Sequence, residues 1–395
     1  MRKSKLEKQV DKVPKQVKWC KNCVMSNQRP RIIFHKDGIC SGCKNEELKQ
    51  KTDWKERERE LRDLLDRHRS KDGKYDIIVP SSGGKDSGYV AHQLKHKYNM
   101  NPLTVTWSPL EYTEIGLQNL QSKIDSGFNN ILFRPNNLFQ RKLARLCLEE
   151  LGDAFHVFVL GQVSYPFHIA LQMKIKLVFY GENGELEYSG DPKHVDKPFR
   201  SVTEWSEQYF KGSNLEELIN FGLKEKDYLS KDNFSNSDLT FYKPPSQEQL
   251  LDAGIEGEYF YGYYKKWIPQ ENYYYVTKHL NFKPNPERTE GTYSKYASLD
   301  DKFDGMHYYM RFIKFGLGRC VEDASHEIRA GHLTREEAIS LVQKYEGEFP
   351  KKYYNEFLKY LNITDSQFWD IADSWRLDHL WEKKGNEWRL KSPLK

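Results

Sequence analysis

Short apolar runs alternate with amphipathic stretches through the first half of the chain. Apolar runs bounded by turn residues predict buried strands, and apolar positions three and four apart predict helices. Strands are predicted at 75–79, 102–107, 131–133 and 176–180, and helices from the glycine turn to about 98, at 113–126 and at 137–151. This alternation predicts an α/β fold with a parallel sheet covered by helices on both faces.

The pattern changes after about residue 190. Residues 190–290 are rich in Tyr, Trp, Pro and charge and lack clear strand alternation, whereas the segments beyond Asp300 have helical periodicity. Thr334 and Thr364 each begin a capping box, because Glu or Gln follows three residues later. We therefore predict a mainly α-helical substrate or partner region over residues 191–395.

Three segments precede the α/β domain, which is predicted over residues 73–190. Residues 1–18 are Lys-rich and predict a basic flexible tail. Residues 19–45 hold four clustered cysteines. Residues 46–72 are charge-dense with apolar residues at helical spacing, which predicts one amphipathic linking helix.

Composition limits the class of protein. Of 395 residues, 38% are hydrophobic and 30% charged, but 9 Trp, 25 Tyr and 21 Phe are too many for a disordered chain. The net charge of +5 comes without a basic stripe, so no nucleic-acid partner is expected.

The uncharged run Ala154–Met173 contains His, Gln, Ser and Pro, and we interpret it as buried strand and helix segments beside a cleft, not a membrane span. Because no apolar stretch follows the basic N-terminus, a cytoplasmic protein is predicted.

The most informative motif, SGGKDS at residues 82–87, lies between a predicted strand and a predicted helix. Ligands of open parallel sheets bind at the carboxyl ends of strands. Backbone N–H groups at a helix N-terminus favour an anion there, and glycines allow its close approach. The spacing matches neither the Walker pattern nor Gly-x-Gly-x-x-Gly. The motif is therefore predicted to be a phosphate cradle of another kind.

The pattern Ser-Gly-Gly-x-Asp-Ser resembles the signature of the ATP-pyrophosphatase, or PP-loop, superfamily. The resemblance implies a loop that holds the pyrophosphate of ATP while the α-phosphorus is attacked. Asp86 is suited to holding Mg²⁺ against the leaving group, and Lys85 and Asp86 are predicted to be catalytic. The loop residues implied to bind ATP are Ser82, Gly83, Gly84, Lys85, Asp86 and Ser87. Thr106 and Trp107, after the second strand, are implied to meet the adenosine, although Trp107 is equally suited to the core.

The cysteines form two Cys-x₂-Cys pairs separated by sixteen residues. This spacing predicts a Cys₄ zinc site at Cys20, Cys23, Cys40 and Cys43. Four thiolates complete a tetrahedral shell and leave no position for a reacting water, so the predicted Zn²⁺ is structural. Reduced or disulfide-bonded cysteines and an iron–sulfur cluster are the alternatives.

Further motifs extend the resemblance to one family. The cysteine module, the SGGKDS loop, the run 181–183 and segments near 288–293, 300–302, 314–319 and 328–331 together resemble the N-acetyl sugar amidotransferases over roughly residues 18–380. The resemblance implies conversion of an acetamido group of a nucleotide-activated sugar to an acetamidino group, for bacterial lipopolysaccharide or O-antigen synthesis. The implied route is adenylylation of the amide oxygen by ATP, followed by addition of ammonia.

The same resemblance assigns candidate residues. Gly181, Glu182 and Asn183 are predicted to face the loop across one cleft, and Gly181 is implied to bind ATP. Glu182 would orient ammonia or take its proton, and Asn183 would hold the acetamido group, unless the three form an ordinary turn. Asp300 and Asp301 either bind metal or cap a helix. The candidate phosphate- or substrate-binding residues are Arg288, Thr292, Lys314 and Arg319, with surface charge as the alternative.

The source of ammonia has no candidate within the chain. Cys147 lies in a helical pattern and Cys320 lacks a glycine elbow, so neither is a predicted glutaminase nucleophile. The resemblance implies a separate glutaminase and an ammonia-channel subunit, and the Tyr-rich stretch 259–275 is either their docking surface or aromatic core. The alternative functions are a tRNA-modifying, thiolation-type PP-loop enzyme, disfavoured by the missing further cysteine pair, and a non-catalytic zinc-dependent scaffold.

Overall fold

A computed structural model describes residues 6–204, 215–225 and 234–395. Besides short 3₁₀ turns, its elements in chain order are α1 Ser41–Lys49, α2 Trp54–His68, β1 Ile77–Pro80, α3 Lys85–His96, β2 Pro102–Trp107, α4 Glu114–Asp125, β3 Asn130–Phe133, α5 Asn137–Leu151, α6 His156–Met173, β4 Leu177–Tyr180, α7 Gly184–Glu187, β5 Phe199–Ser201, α8 Leu215–Glu225, α9 Asn236–Leu239, α10 Gln247–Asp252, β6 Gly257–Phe260, α11 Tyr261–Tyr264, α12 Pro269–His279, α13 Asp304–Phe315, α14 Arg319–Ala330, α15 Arg335–Tyr345, α16 Tyr354–Leu361, α17 Asp365–Ser374, β7 Trp381–Lys384 and β8 Glu387–Leu390.

The central sheet has the strand order β3-β2-β1-β4-β6-β5, and its strands pair in parallel except for β5, which is antiparallel to β6. Successive residues of β1 pack on opposite faces, as strand geometry requires. Ile77 and Val79 join the apolar cluster of α2 and α3, whereas Ile78 joins that of α5 and α6. The predicted α/β fold with a parallel sheet covered on both faces is confirmed.

The sheet continues past the domain boundary predicted at residue 190. Strands β5 and β6 belong to the region expected to be mainly helical, and β6 pairs directly with β4. The apolar pattern of β6 is interrupted by Glu258, which is fully buried and forms an ion pair of 2.8 Å with Arg200 on β5. The predicted boundary at residue 190 is wrong. The charged residue in β6 obscures its strand pattern in the sequence, because the counter-charge lies on the neighbouring strand β5.

Two predictions for the N-terminal segments also need correction. Residues 6–18 of the predicted flexible tail pack on the protein: Leu6 and Val13 are buried, and Glu7 forms an ion pair of 2.5 Å with buried Lys314. Residues 1–5 lie outside the described residues. The predicted linking helix is two helices, because Asp53 caps α2 by accepting hydrogen bonds from the N–H groups of residues 55 and 56.

The uncharged run 154–173 forms the helix α6 instead of strand and helix segments. Gly161 lets α6 approach β2, since a Cβ atom there would lie 2.0 Å from the ring of Trp107. Within the described residues, no single helix has the length and apolar character to cross a membrane. The pair α5 and α6, bent by 118° between them, would together be long and apolar enough by length and composition alone.

The C-terminal helices carry the cysteine module. Both predicted capping boxes, at Thr334 and Thr364, are confirmed as the starts of α15 and α17. The four cysteines share an apolar cluster with residues of α14, α15 and the β7–β8 hairpin, among them Val321, Val342 and Trp381. The module therefore lies against the C-terminal region, at a fixed position relative to the sheet.

The Tyr-rich stretch 259–275 is largely core. Tyr259, Tyr261 and Tyr264 are buried against the sheet face formed with α2 and α3, whereas Tyr274 is 62% exposed. Of the two interpretations offered by the sequence, aromatic core accounts for most of this segment.

Candidate active site

A cleft of about 450 Å³ opens at the carboxyl ends of β1, β2 and β4. The SGGKDS loop forms its floor, and α6 forms one wall with Phe158, Gln162 and Pro166. The opposite side is formed by the loop after β4, by residues 296–301 and by Arg319. Segments distant in the sequence thus meet where parallel-sheet proteins bind ligands.

Backbone geometry shapes the loop. Gly83 has a φ of +96°, and a Cβ atom there would lie 2.7 Å from the backbone of Leu120 on α4. Gly84 precedes the first turn of α3, so the free N–H groups of that turn face the cleft side of the loop. Only glycine permits both the positive φ and the close packing on α4.

Lys123 on α4 lies beneath the loop and escaped prediction. Its side chain is 2% exposed, and its Nζ donates a hydrogen bond of 2.7 Å to Ser81 Oγ. Ser81 Oγ lies 2.9 Å from Ser87 Oγ, so the ammonium connects to the motif through two hydroxyls. Burial lowers the pKa of Lys123 to about 7. Spacing along α4 marks position 123 as a core position, but only the structure shows that the loop lies above it.

The charged residues of the loop form a connected group. Lys85 and Asp86 are in ion-pair contact, and Asp86 Oδ1 accepts a hydrogen bond of 3.0 Å from Asn272 Nδ2. Asn272 is buried on α12 and was also missed, because its partner lies 186 residues earlier. A carboxylate held on one oxygen by an amide keeps a defined orientation toward the cleft.

Glu182 lines the same cleft from the loop after β4. Its Oε1 accepts a hydrogen bond of 3.2 Å from the hydroxyl of Tyr188, another residue that the motifs did not reveal. Burial and the neighbouring carboxylate of Asp86 raise the pKa of Glu182 to about 7, and the Lys85 ammonium opposes that rise. The cleft therefore contains a carboxyl group that gains or loses a proton near neutral pH.

Asp300 and Asp301 have different environments. Asp301 accepts hydrogen bonds from the N–H groups of Leu110 and Phe303, at 2.6 and 2.8 Å, and so ties the β2–α4 connection to the start of α13. Asp300 lines the cleft beside Ser82, and burial raises the pKa of its carboxyl group. Of the two predicted alternatives, backbone capping describes Asp301, whereas Asp300 faces the loop.

The predicted adenosine contacts are mainly structural. Thr106 is buried and donates a hydrogen bond of 2.5 Å to the carbonyl of Ser81, which supports the loop from behind. Trp107 stacks on Phe133 with ring centroids 5.1 Å apart and an edge at the cleft. Its buried indole N–H has no hydrogen-bond partner within the described residues. Thr106 is therefore not among the cleft-lining residues, and Trp107 is a core residue that borders the cleft.

Asn183 faces away from the loop, contrary to prediction. Its side-chain oxygen accepts hydrogen bonds from the N–H of Glu185 at 3.1 Å and from Arg200 Nη2 at 3.0 Å, and it caps α7. Gly181 does line the cleft, and a Cβ atom there would lie 2.6 Å from the ring of Trp267.

The four candidate phosphate or substrate residues separate in the structure. Arg319 lines the cleft, held by Tyr308 at 2.6 Å and by Asp323 at 2.9 Å. Thr292 is buried and donates a hydrogen bond of 2.6 Å to the other oxygen of Asp323, so it supports Arg319 from behind.

Arg288 and Lys314 are not among the residues that line this cleft. Arg288 forms a two-point ion pair with Glu348 at 2.6 and 2.7 Å. Lys314 is buried against Glu7 and the carbonyl of Leu151. Each of these two cations is paired with a carboxylate far away in the sequence, and no local motif reveals such a pair.

The cysteine module forms a compact set of sulfur ligands. The Sγ atoms of Cys20, Cys23, Cys40 and Cys43 lie within 4.8 Å of one another and are buried, and this group can hold a metal ion. The Cys20–Cys43 and Cys23–Cys40 sulfur separations are 4.0 and 3.6 Å. A tetrahedron with bonds of ~2.3 Å has edges of about 3.8 Å, so these cysteines fit Zn²⁺.

The module also holds the segment that carries Glu182, which we call the Glu182 loop (residues 181–190). Arg31 donates two hydrogen bonds to Glu185, at 3.2 and 2.5 Å, and Ser41 Oγ donates one of 2.9 Å to the carbonyl of Gly190. Lys49 on α1 forms an ion pair with Glu187. The metal-binding module is therefore in direct contact with one side of the active-site cleft.

The fold and the site define the class of protein. A parallel α/β sheet with an SGGKDS loop between β1 and α3, open to a cleft at the carboxyl ends of the strands, is the arrangement that the PP-loop resemblance of the sequence implies. Cys147 and Cys320 are buried in α5 and α14, away from this cleft.

Comparison with known protein families finds a match over the C-terminal part of the chain. Residues 290–395 match the C-terminal domain of the WbpG-like LPS biosynthesis proteins. The match covers α13 to β8 and includes Asp300 and Arg319. It confirms, over these residues, the family resemblance predicted from the sequence.

Two other proteins are similar to this chain over part of its length. An uncharacterized protein of Methanocaldococcus jannaschii, MJ1599, is 33% identical over 87 residues, which is 22% of this chain and 31% of that protein. The chain thus spans about a third of that relative. The U34-tRNA thiolase NcsA of Methanococcus maripaludis, solved with its [4Fe-4S] cluster, aligns with 83% of this chain and 89% of its own, at 14% identity and a TM-score of 0.30.

Replacing Lys123 by Met will change how stability depends on pH. The pKa of Lys123 is lowered in the folded protein, so above pH 7 the unfolded state binds more protons and stability rises toward pH 10. Lys123→Met removes this contribution. Urea unfolding at pH 7 and 9.5 measures the difference, with exposed Lys55→Met as the control. Equal pH dependence in wild type and Lys123→Met would contradict the assignment.

Metal analysis tests the cysteine site. We expect one zinc per chain in the purified protein and well below one in Cys43→Ser, together with faster hydrogen exchange in the Glu182 loop because the module that holds it loses its folding energy. Cys147→Ser, a buried cysteine outside the cluster, should retain the metal. Iron in place of zinc, or full retention by Cys43→Ser, would refute the prediction.

Proposed function

We propose that this protein is an ATP-dependent amidotransferase that converts the acetamido group of a nucleotide-activated sugar to an acetamidino group for surface-glycan synthesis. The observation that carries the proposal is Glu182, a carboxylate with a pKa near neutrality that faces the SGGKDS loop across one cleft. The WbpG-like C-terminal domain supports the glycan pathway. A phosphate loop and a neutral-pH base in one cleft suit activation by ATP followed by addition of a nitrogen nucleophile.

The first step activates the amide. The substrate carbonyl oxygen attacks the α-phosphorus of ATP, the bond to the bridging oxygen breaks, and pyrophosphate leaves with its electron pair. The loop N–H groups, Lys85 and Arg319 are placed to stabilise the charge that develops on the phosphates. Asp86, oriented by Asn272, would hold Mg²⁺, which neutralises charge on the leaving pyrophosphate when bound.

The second step uses the O-adenylyl imidate. Ammonia adds to the imidate carbon, a proton passes from nitrogen to the Glu182 carboxylate, and the carbon–oxygen bond breaks to release AMP. The amide oxygen leaves within AMP, so the products are the amidine, AMP and pyrophosphate. Tyr188 would keep Glu182 oriented toward the cleft during this transfer.

Ammonia would come from a separate glutaminase through a channel subunit. The buried thiols of Cys147 and Cys320 support this assignment, since neither is placed as a glutaminase nucleophile. The same burial weighs against sulfur transfer to tRNA, because neither thiol lines the cleft within the described residues.

Asp86→Asn should lower turnover at least about a hundredfold, as removal of one charge-stabilising group does. Mass spectrometry of reactions containing Mg-ATP, an ammonium salt and a panel of N-acetylated nucleotide sugars measures AMP, pyrophosphate and the amidine. Zinc content and unfolding should be unchanged, and exposed Asp252→Asn serves as the control. Full activity in Asp86→Asn would exclude the loop assignment, and tRNA-dependent pyrophosphate release without a sugar product would favour thiolation.

The pH profile tests Glu182 as the base. Because the base must be deprotonated and its pKa is about 7, kcat/KM should rise with pH through about 7, with free ammonia held constant. Glu182→Gln should remove that inflection and lower the rate, whereas exposed Glu248→Gln should leave both unchanged. An unaltered inflection in Glu182→Gln would assign it to another group.

A further inference from the structure

A second cavity, of about 190 Å³, is lined in part by His307, whose ring contacts a residue that lines the cleft. Phe155 borders the cleft and His307 borders the second cavity, and their rings are 5.4 Å apart between centroids. Cations dominate its lining, which consists of Gln9, Arg29, Pro30, Arg31, Gly152, Asp153, His307, Arg311, Lys314 and Phe315.

Three guanidinium groups at this cavity share two carboxylates. Glu185 accepts both hydrogen bonds of Arg31, and Glu322 pairs with Arg311 at 2.5 Å. Arg29 interacts electrostatically with all four of these charged groups. Lys314 and His307 have their own carboxylates, Glu7 and Asp153. Within the described residues, Arg29 is therefore the guanidinium group at this cavity that is left without a carboxylate of its own.

Arg29 lacks a carboxylate within ion-pair distance in the part of the chain that the structure describes. Its Nη1 donates to the carbonyl of Pro30 at 3.1 Å, and its buried Nε has no hydrogen-bond partner. Burial, opposed by Glu185 and reinforced by Arg311, lowers its pKa to about 10. An arginine held in this way is costly unless an anion completes its hydrogen bonds.

The cleft itself is poorly suited to a second set of phosphates. Its loop, Lys85 and Arg319 are assigned to ATP, and the remaining charged lining includes Glu182 and Asp300. A sugar activated by a nucleoside diphosphate brings a diphosphate of its own, which these carboxylates would repel. The arginine cavity is the neighbouring cationic space, and planar guanidinium groups match phosphate oxygens in pairs.

We propose that this cavity binds the diphosphate of the nucleotide-activated substrate, with Arg29 supplying the unpaired guanidinium. The inference rests on the proposed function for the identity of the substrate. It gives the cysteine module a second role, because Arg29 and Arg31 follow its first cysteine pair and the predicted metal would hold them at the substrate.

Calorimetric titration of UDP into the full chain tests the site, with Mg²⁺ and a non-hydrolysable ATP analogue occupying the loop. We expect Arg29→Met to bind UDP at least about tenfold more weakly, the effect of losing a charge-assisted two-point contact. The affinity of Arg29→Lys for UDP should lie between those of wild type and Arg29→Met, because lysine keeps the positive charge but cannot form the two parallel hydrogen bonds of a guanidinium group. Exposed Arg59→Met should bind as wild type does.

Two outcomes overturn the proposal. UDP affinity that is equal in wild type and Arg29→Met places the diphosphate elsewhere. Loss of UDP binding in Asp86→Asn but not in Arg29→Met would place it in the loop. The titration measures binding and does not depend on turnover. If UDP binds through Arg29 but the protein makes no amidine, the proposed reaction is refuted and the proposed UDP site is not.

A measurement on the unaltered protein covers the case in which Arg29→Met fails to fold. Phenylglyoxal modifies accessible guanidinium groups, and mass spectrometry locates the modified residues. UDP should protect Arg29 and leave exposed Arg59 reactive. Equal modification of Arg29 with and without UDP would overturn the proposal.

Discussion

The packing of the cysteine module against the Glu182 loop determines the geometry of the active site. The loop is held at both ends: the carbonyl of Gly181 accepts a hydrogen bond of 2.8 Å from Gly262, and Ser41 of the module holds Gly190. Glu182 can face Asp86 only while both ends are fixed. A module this short has no independent core, so the metal that its cysteines fit would supply the folding energy on which this arrangement depends.

Unbalanced buried charge distinguishes the functional surfaces from the scaffold. Arg200 and Glu258 in the sheet form a buried ion pair of 2.8 Å, so each charge there has a counter-charge. Within the described residues, Lys123 beneath the loop donates to a hydroxyl and Arg29 at the second cavity donates to a carbonyl, and neither forms an ion pair with a carboxylate. Because charge in a low-dielectric interior is costly without a counter-charge, both positions favour bound phosphates. At Glu182 the negative charge is in excess, because burial and the carboxylate of Asp86 both disfavour its ionised form and so raise its pKa.

The site was predictable where its chemistry is local. The SGGKDS loop needs consecutive backbone groups, so a six-residue motif reveals it, and two Cys-x₂-Cys pairs reveal the cysteine site. Asn183 lies next to Glu182 in sequence, yet its side-chain oxygen accepts a hydrogen bond from Arg200 and faces away from the loop. Lys314 lies in a motif of the resemblance, yet it pairs with Glu7 at the other end of the chain. Lys123 has no motif around it, because its partner belongs to another element.

The sequence by itself determined the α/β alternation, the phosphate loop, the four metal-ligand cysteines and the capped C-terminal helices. Each depends on interactions within a few residues or on a periodicity of two or 3.6, which the order of residues displays directly. Only the tertiary structure decided that β6 joins the sheet, that Lys123 supports the loop and that Arg319 lines the cleft while Arg288 does not. These outcomes depend on which charges meet across long sequence separations, because a buried ion is stable only beside its partner.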